Sequence, residues 1–366
     1  MFCREIKKQY HWIIPGIIFL FLMGCGGGFI PSSVKKGKIV VNKLRFQKKN
    51  VLNCPKLNLI TDFYLDTLEN DVVKSLIIAG SDGACFCSEC VRDKKCFSFL
   101  KDNVYNVKVV RLQDSPTIQF LTSGLWGDPA VALFDSSGKL IWEYRAKFKH
   151  TTAPGIIDFG DDGKQRILMY VSGAGLLFFD PGNGQITNKM AKSPLWDLKT
   201  ADFDGDGKND ALLLDEENNL QLMSANGDIQ NATKLNFDYS TIALCNSSSG
   251  MRIFLSSSTK LYMFGPKLEL LTKFSVPIEK QFQIVSVAMS NIRQEAEKKN
   301  IIISLFKGRG GWHRTILFVH TVDGVLLYHE ILEGDFQAFY VRQDSEGELR
   351  SFLLGGRNNI LEYTIE

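Results

Sequence analysis

Short apolar stretches separated by turns rich in Gly and Asp fill most of this 366-residue chain. Residues 131–159 contain an apolar strand, a tight Asp/Gly turn, a second strand, a polar connection and a strand that ends in Asp-Phe. Residues 176–203 repeat that order. Short apolar runs bounded by turn residues predict strands, and few stretches show the longer period of a helix. The pattern therefore predicts an all-β protein built from an internal repeat.

A repeat of roughly 40 to 50 residues is typical of a β-propeller or a solenoid. Weaker copies continue to the C-terminus, where the last unit has three strands instead of four. A further strand, KIVVNKLRF at residues 38–46, has no neighbour in sequence. Because an open ring would leave sheet edges unpaired, we predict that residues 38–46 pair with residues 358–365 and close a propeller of about six blades. The alternative is that residues 38–46 continue a tether that precedes the fold.

The N-terminus has the layout of a secretory signal, with a positively charged start and an apolar run at residues 12–23. The motif Leu-Met-Gly-Cys then ends at Cys25, and it resembles the lipobox of bacterial lipoproteins. The resemblance implies a signal peptide at residues 1–24 and a lipid on Cys25 that holds the protein in the membrane of the cell envelope. Gly26 lacks the aspartate that retains some lipoproteins in the inner membrane, which favours the outer membrane. Residues 25–37 are then a flexible tether and residues 38–366 the propeller, whereas a signal-anchor or an ordinary secretory signal is the alternative.

The stretch ADFDGDGKND at residues 201–210 places four carboxylates at positions 1, 3, 5 and 9 of one loop. A glycine at position 6, Gly207, permits a sharp turn, and Lys208 at position 7 offers a backbone carbonyl. Hard oxygen ligands in this number suit Ca²⁺. The loop lies between two strands and resembles the calcium loops of FG-GAP (integrin-α-type) propellers, which join the first and second strands of a blade. We therefore predict one structural Ca²⁺ site, with a solvated turn as the alternative; its residues are Asp202, Asp204, Asp206, Lys208 and Asp210.

A damaged copy of this loop, IIDFGDDGKQRIL, precedes the intact one by one repeat. Arg166 occupies its position 9, where a cation should repel Ca²⁺. We expect no metal there and expect Arg166 to pair with Asp158 or Asp162.

Four cysteines fall within twelve residues: Cys85, Cys87, Cys90 and Cys96. In an exported chain they favour disulfides, so residues 84–128 are interpreted as a cysteine-rich insertion in the first blade, with a thiolate zinc site as a further alternative. A competing interpretation starts from the CxxC motif between a strand and a stretch predicted to be helical, followed by Pro129 before a late strand. This order resembles a thioredoxin-like α/β domain, which would occupy residues 54–149 and leave residues 150–366 to the propeller. The resemblance implies that Cys87 attacks a disulfide, that Cys90 resolves the intermediate and that Pro129 faces the pair.

One polar loop, KGRGGWHR at residues 307–314, interrupts two apolar strands. Its side chains could bind a carboxylate, a phosphate or a sugar, although a solvated hairpin loop is the alternative; they are Arg309, Trp312, His313 and Arg314. The formal net charge is only +3 and the sequence has no long basic cluster, so we expect no nucleic-acid partner.

Two functional hypotheses remain. The first is a lipid-anchored envelope propeller that binds a protein or a glycan without catalysis. The second is a thiol-disulfide oxidoreductase tethered to a propeller that selects its client.

Overall fold

The computed structural model describes residues 44–366 with short gaps, at 54–56, 68–72, 89–92, 101–103, 116, 125–127, 161, 163, 238–240, 248–249, 258, 279–281, 295–296 and 309–313. The predicted signal peptide, Cys25 and residues 38–43 lie outside the described residues. No helix in the described part of the chain is long and apolar enough to cross a membrane.

The described residues form strands joined by turns. In chain order the strands are β1 (Phe46–Asn53), β2 (Ile60–Thr67), β3 (Val73–Gly80), β4 (Gly83–Ser88), β5 (Asp93–Ser98), β6 (Val104–Val110), β7 (Gln119–Gly124), β8 (Val131–Phe134), β9 (Leu140–Tyr144), β10 (Gly155–Asp158), β11 (Gln165–Val171), β12 (Gly175–Phe179), β13 (Ile186–Met190), β14 (Leu195–Ala201), β15 (Asp210–Asp215), β16 (Asn219–Met223), β17 (Ile229–Lys234), β18 (Ile242–Ser247), β19 (Gly250–Ser257), β20 (Lys260–Phe264), β21 (Leu270–Ser275), β22 (Phe282–Gln294), β23 (Glu297–Gly308), β24 (Arg314–Thr321), β25 (Leu326–Glu333), β26 (Ala338–Gln343), β27 (Leu349–Gly355) and β28 (Asn359–Ile365).

These strands assemble into seven four-stranded antiparallel sheets, each of which is one blade of a β-propeller. Blades 1 to 6 are the consecutive sets β2–β5, β6–β9, β10–β13, β14–β17, β18–β21 and β22–β25, and blade 7 combines β26–β28 with β1. The prediction of an all-β propeller is confirmed, but the estimate of about six blades is wrong. The seventh blade comes from residues 84–128, which supply β4 to β7 to blades 1 and 2 and are not an insertion.

The first strand of each blade lies innermost. First strands of neighbouring blades contact one another: β2 contacts β6, β10 contacts β14, β14 contacts β18, β18 contacts β22, β22 contacts β26, and β26 contacts β2. Because strands alternate in direction within a blade, loops between first and second strands share one face of the ring with loops between third and fourth strands. We call this the acidic-loop face, because it carries residues 202–209. The remaining loops lie on the opposite face.

The N-terminal strand closes the ring, as predicted, but it lies further along the chain. β1 pairs antiparallel with β28, from Phe46 opposite Ile365 to Asn53 opposite Asn359. The apolar pattern missed β1 because its residues 47–50 are exposed on the outer edge of blade 7. Phe46 ties this edge to the interior, with its ring centroid 5.4 Å from that of Phe352. Pairing of β1 with β28 supplies the fourth strand of blade 7 and joins the first and last strands of the fold within one sheet.

Apolar side chains fill the layers between neighbouring blades. One layer joins blades 3 and 4 through residues such as Leu168, Phe178 and Leu213, all of which are buried. Full burial of a side chain of this size contributes roughly 1.5–3 kcal/mol. Polar side chains on first strands add hydrogen bonds between blades: the Val109 N–H donates to Asp62 Oδ2 at 2.9 Å, and the Ile242 N–H donates to Asp197 Oδ2 at 2.9 Å.

The thioredoxin-like interpretation of residues 54–149 is wrong. The stretch after the CxxC motif, predicted to be helical, forms strand β5 instead, and the whole region builds blades 1 and 2. Cys96 on β5 lies opposite Cys85 on β4, and the two are joined by a disulfide. Phe99 then packs against Phe120 of the next blade at 5.1 Å. Packing against neighbouring blades overrides the local helical preference of the sequence.

Candidate metal centre

The acidic loop of residues 202–209 joins β14 to β15, the first and second strands of blade 4. This is the position that the sequence predicted. Phe203 anchors the loop, because its side chain is 3% exposed and packs with Leu212 and Ile253 between blades 4 and 5. The carboxylates on either side of Phe203 are thereby held at the acidic-loop face.

The loop is folded around its own carboxylates. Asp202 accepts hydrogen bonds from the N–H groups of Gly205 at 2.7 Å and Gly207 at 3.0 Å. Asp204 accepts from the Asp206 N–H at 3.1 Å, and Asp206 accepts from the Lys208 N–H at 2.8 Å. Gly205 and Gly207 both have φ of +84°, which is the left-handed region that glycine adopts without steric cost. The backbone therefore curls so that successive aspartates point towards one centre.

Three carboxylates converge in this curl. Oxygens of Asp202, Asp204 and Asp206 all lie within 4.8 Å of one another. Among the described residues, no Lys, Arg or His forms an ion pair with any of the three. Their mutual repulsion is therefore left without a protein counter-charge.

Asp210, the fourth aspartate, is buried at the base of the loop and only 4% exposed. Its Oδ2 has no hydrogen-bond partner among the described residues. Burial, followed by the nearby charge of Asp204, raises the pKa of Asp210 to about 6. A buried carboxylate oxygen without a donor is costly unless a cation reaches it.

These features fit a Ca²⁺ ion, which is bound by hard oxygen ligands in flexible geometry. Asp202, Asp204 and Asp206 would hold it with their converging carboxylate oxygens. Asp210 and the backbone carbonyl of Lys208 belong to the predicted set, but Asp210 does not lie within the converging group of carboxylates. A bound divalent cation would supply the missing counter-charge.

The damaged loop of blade 3 lacks these properties. Arg166 Nη2 donates to Asp162 Oδ2 at 2.6 Å, which confirms the predicted internal ion pair. Asp158 has a different role that the sequence did not reveal. Its Oδ2 accepts the Asn209 N–H at 2.7 Å, and its own N–H donates to the Asn209 carbonyl at 3.3 Å. Asp158 of blade 3 thus holds the end of the intact loop of blade 4 in place through these two hydrogen bonds.

Cys87, the cysteine predicted to attack a disulfide, lies in a different layer of the ring from the chain that follows Pro129. Cys87, on β4, is buried with Leu57, Ile60 and Leu353 between blades 1 and 7. Pro129 follows a cis peptide bond, and the chain after it packs into the layer between blades 2 and 3. Cys90 lies outside the described residues. For Cys87, the described half of the motif, the placement does not match the facing of CxxC and proline that the thioredoxin resemblance implies.

The predicted polar loop falls between β23 and β24, the second and third strands of blade 6. Arg309, Trp312 and His313 fall outside the described residues. Arg314 begins β24, is half-buried and lies opposite Glu333 on β25. Of this predicted set, only Arg314 can be placed, and it belongs to the strand.

Comparisons with known proteins identify the fold. No protein-family model matches the chain, and no curated protein matches it either. Among solved structures, the chain is similar to BBS1N, crystallised in complex with ARL6DN and soaked with mercury, with a TM-score of 0.55, 10% identity, and coverage of 89% of this chain and 97% of that one. It is also similar to Chaetomium thermophilum Raptor, with a TM-score of 0.57, 9% identity, and coverage of 88% of this chain and 29% of that one. At these identities the likeness establishes a β-propeller fold and nothing finer.

Proposed function

We propose that this protein is a lipid-anchored β-propeller of the bacterial cell envelope that binds a protein partner and is stabilised by one structural Ca²⁺. The observation that carries the proposal is the closed ring of seven blades, whose first and last strands are joined in blade 7 and whose two faces of loops are available for contacts. One of its structural neighbours, BBS1N, was crystallised with a protein partner, which supports the same use of the fold here.

The proposed location has two supports. The lipobox at Cys25 would attach the chain to a membrane, and the disulfide between Cys85 and Cys96 is of the kind that persists outside the cytosol. The Ca²⁺ is supported by the converging carboxylates and by the buried Asp210. Its role is structural, because a loop that supplies most of the ligands itself leaves little room for a substrate.

A face-resolved photo-crosslinking experiment in cells tests this function. Lys208 and Glu217 are both exposed and both belong to blade 4, but they lie on the acidic-loop face and the opposite face respectively. We expect a photoreactive residue at one of these positions to give a discrete adduct with a second protein, while the other position serves as its matched control. We also expect the Cys25→Ser variant to move from the membrane fraction to the soluble fraction. If neither position gives a discrete adduct, the binding function is contradicted. If Cys25→Ser stays in the membrane fraction as wild type does, the lipid anchor is contradicted.

A further inference from the structure

A polar cleft opens on the acidic-loop face where blades 5, 6 and 7 meet, away from the metal centre. It encloses about 390 Å³, within the size range of ligand sites. Every described residue that lines it is polar or small except for one methionine; they are Asn246, Ser247, Arg252, Met289, Ser290, Asn291, Asn300, Gln343 and Gly347. Three consecutive blades contribute to it, so it forms only where their first strands are packed side by side.

Arg252 gives the cleft a positive charge that no described lining residue cancels. The described residues that line it include no carboxylate. One guanidinium nitrogen of Arg252, Nη1, donates to the carbonyl of Met251 at 3.0 Å, and no described carboxylate forms an ion pair with it. Arg293 on the same face is different, because Glu346 at 3.0 Å and Glu348 at 2.9 Å neutralise it. The cleft therefore offers an arginine with donors still available, and such a fork matches a carboxylate bidentately.

Side-chain amides surround this arginine. Those of Asn246, Asn291 and Asn300 make no hydrogen bond to any described residue. Gln343 is held in place, because its Nε2 donates to the Met289 carbonyl at 3.2 Å and to Ser290 Oγ at 3.0 Å. Its oxygen is left as an acceptor. Amides that can both donate and accept are suited to the N–H and C=O groups of a peptide backbone.

We infer that this cleft binds a carboxylate carried by a peptide, with Arg252 holding the carboxylate and the amides holding the adjoining backbone. The inference deepens the proposed protein-binding function and rests on it. A peptide fits the lining better than a glycan, because the described lining residues include no aromatic side chain that could pack against a sugar ring. The carboxylate belongs to an acidic side chain or to a chain terminus, and these two sources share the same chemistry.

Binding of four short probes to the purified full chain tests the inference. The probes are an acetylated and amidated Gly-Glu-Glu-Gly, an acetylated Gly-Gln-Gln-Gly with a free C-terminal carboxylate, the same glutamine peptide amidated, and glucuronate. We expect one or both peptide carboxylates to bind at least about tenfold more tightly than the neutral peptide, with an affinity that falls as salt rises. The two carboxylate peptides distinguish a side chain from a terminus. Equal binding of the neutral peptide would overturn a carboxylate site, and equal or tighter binding of glucuronate would overturn a peptide ligand.

Two variants assign the binding to the cleft. Arg252→Gln should weaken binding of the carboxylate probe about tenfold or more, and Asn300→Asp should do the same by placing a negative charge at an exposed position that no described contact depends on. Arg145→Gln is the matched control, because Arg145 is an exposed arginine of blade 2, paired with Asp128 at 2.6 Å and distant from the cleft. If both cleft variants bind like wild type, the site is elsewhere and the inference fails. A crosslinked partner that persists in those variants would show that the binding function stands without this cleft.

Discussion

Calcium at about 1 mM is expected to raise the melting temperature of the wild-type protein by about 5 °C, and the Asp204→Asn variant should lose most of that rise. A site whose dissociation constant is about one hundredth of the calcium concentration stabilises the folded state by about 2.7 kcal/mol. For a domain of this size that corresponds to a shift of several degrees. Asn keeps a side-chain oxygen that can accept the Asp206 N–H, so the variant removes a charge and leaves the loop geometry in place.

The same variant should behave oppositely without calcium. In a chelator, Asp204→Asn relieves repulsion among the converging carboxylates of Asp202, Asp204 and Asp206, so its melting temperature should equal or exceed that of wild type. Differential scanning calorimetry with and without calcium measures both effects. Asp162→Asn is the matched control from the damaged loop, where Asp162 pairs with Arg166, and it should keep the full calcium response. A wild-type melting temperature that ignores calcium would remove the proposed site.

Acid is expected to weaken the folded state through His320, and His320→Leu should remove about 3 kcal/mol of that loss between pH 7 and pH 4. His320 lies on β24 and is 1% exposed, and neither ring nitrogen has a partner among the described residues. Phe274 and Phe318 surround it, with ring centroids 5.0 and 5.5 Å away. Burial lowers the pKa of His320 to about 3.

The direction of the pH effect follows from that lowered pKa. The unfolded chain binds a proton near the ordinary histidine pKa of about 6.5, while the folded protein resists it down to about 3. The contribution of neutral His320 is therefore complete above about pH 6.5 and is lost progressively as pH falls towards 3. Urea unfolding at pH 7 and pH 4 measures the difference, with His150→Leu as the control because His150 is exposed. An identical pH slope for wild type and His320→Leu would contradict this explanation.

The sequence predicted the repeat, the strands and the acidic loop because those features are local. Apolar runs bounded by Gly and Asp turns mark the buried middle strands of each blade, and the spacing of aspartates marks the loop at residues 202–209. The role of Asp158 could not be predicted from the sequence, because its contact with Asn209 joins two blades across 51 residues. The Arg252 cleft could not be predicted for the same reason, since its lining comes from three blades.

Outer strands were the weak point of the sequence prediction. β1 is polar because it forms an exposed edge. The closing strand was therefore predicted at the apolar run of residues 38–46 and not at residues 46–53. β5 was predicted to be helical for a similar reason, since an outer strand carries a weak apolar signal. The number of blades was underestimated because the strands around the CxxC motif were assigned to an insertion or a second domain. Those strands follow the same repeat as the rest of the chain, so the repeat predicts the fold of this region more accurately than the motif does.

Joining the chain ends covalently tests the closed seven-bladed ring most directly. Gln47 on β1 and Thr364 on β28 are exposed and lie directly opposite each other. The account predicts that the double variant Gln47→Cys, Thr364→Cys forms an intramolecular disulfide, detected by mass spectrometry of the linked peptides. The control pair Gln47→Cys, Asn359→Cys should not link, because its positions are about 17 Å apart along the strands. Failure of the first pair to link, or equal linking of the control, would contradict closure of the ring by β1.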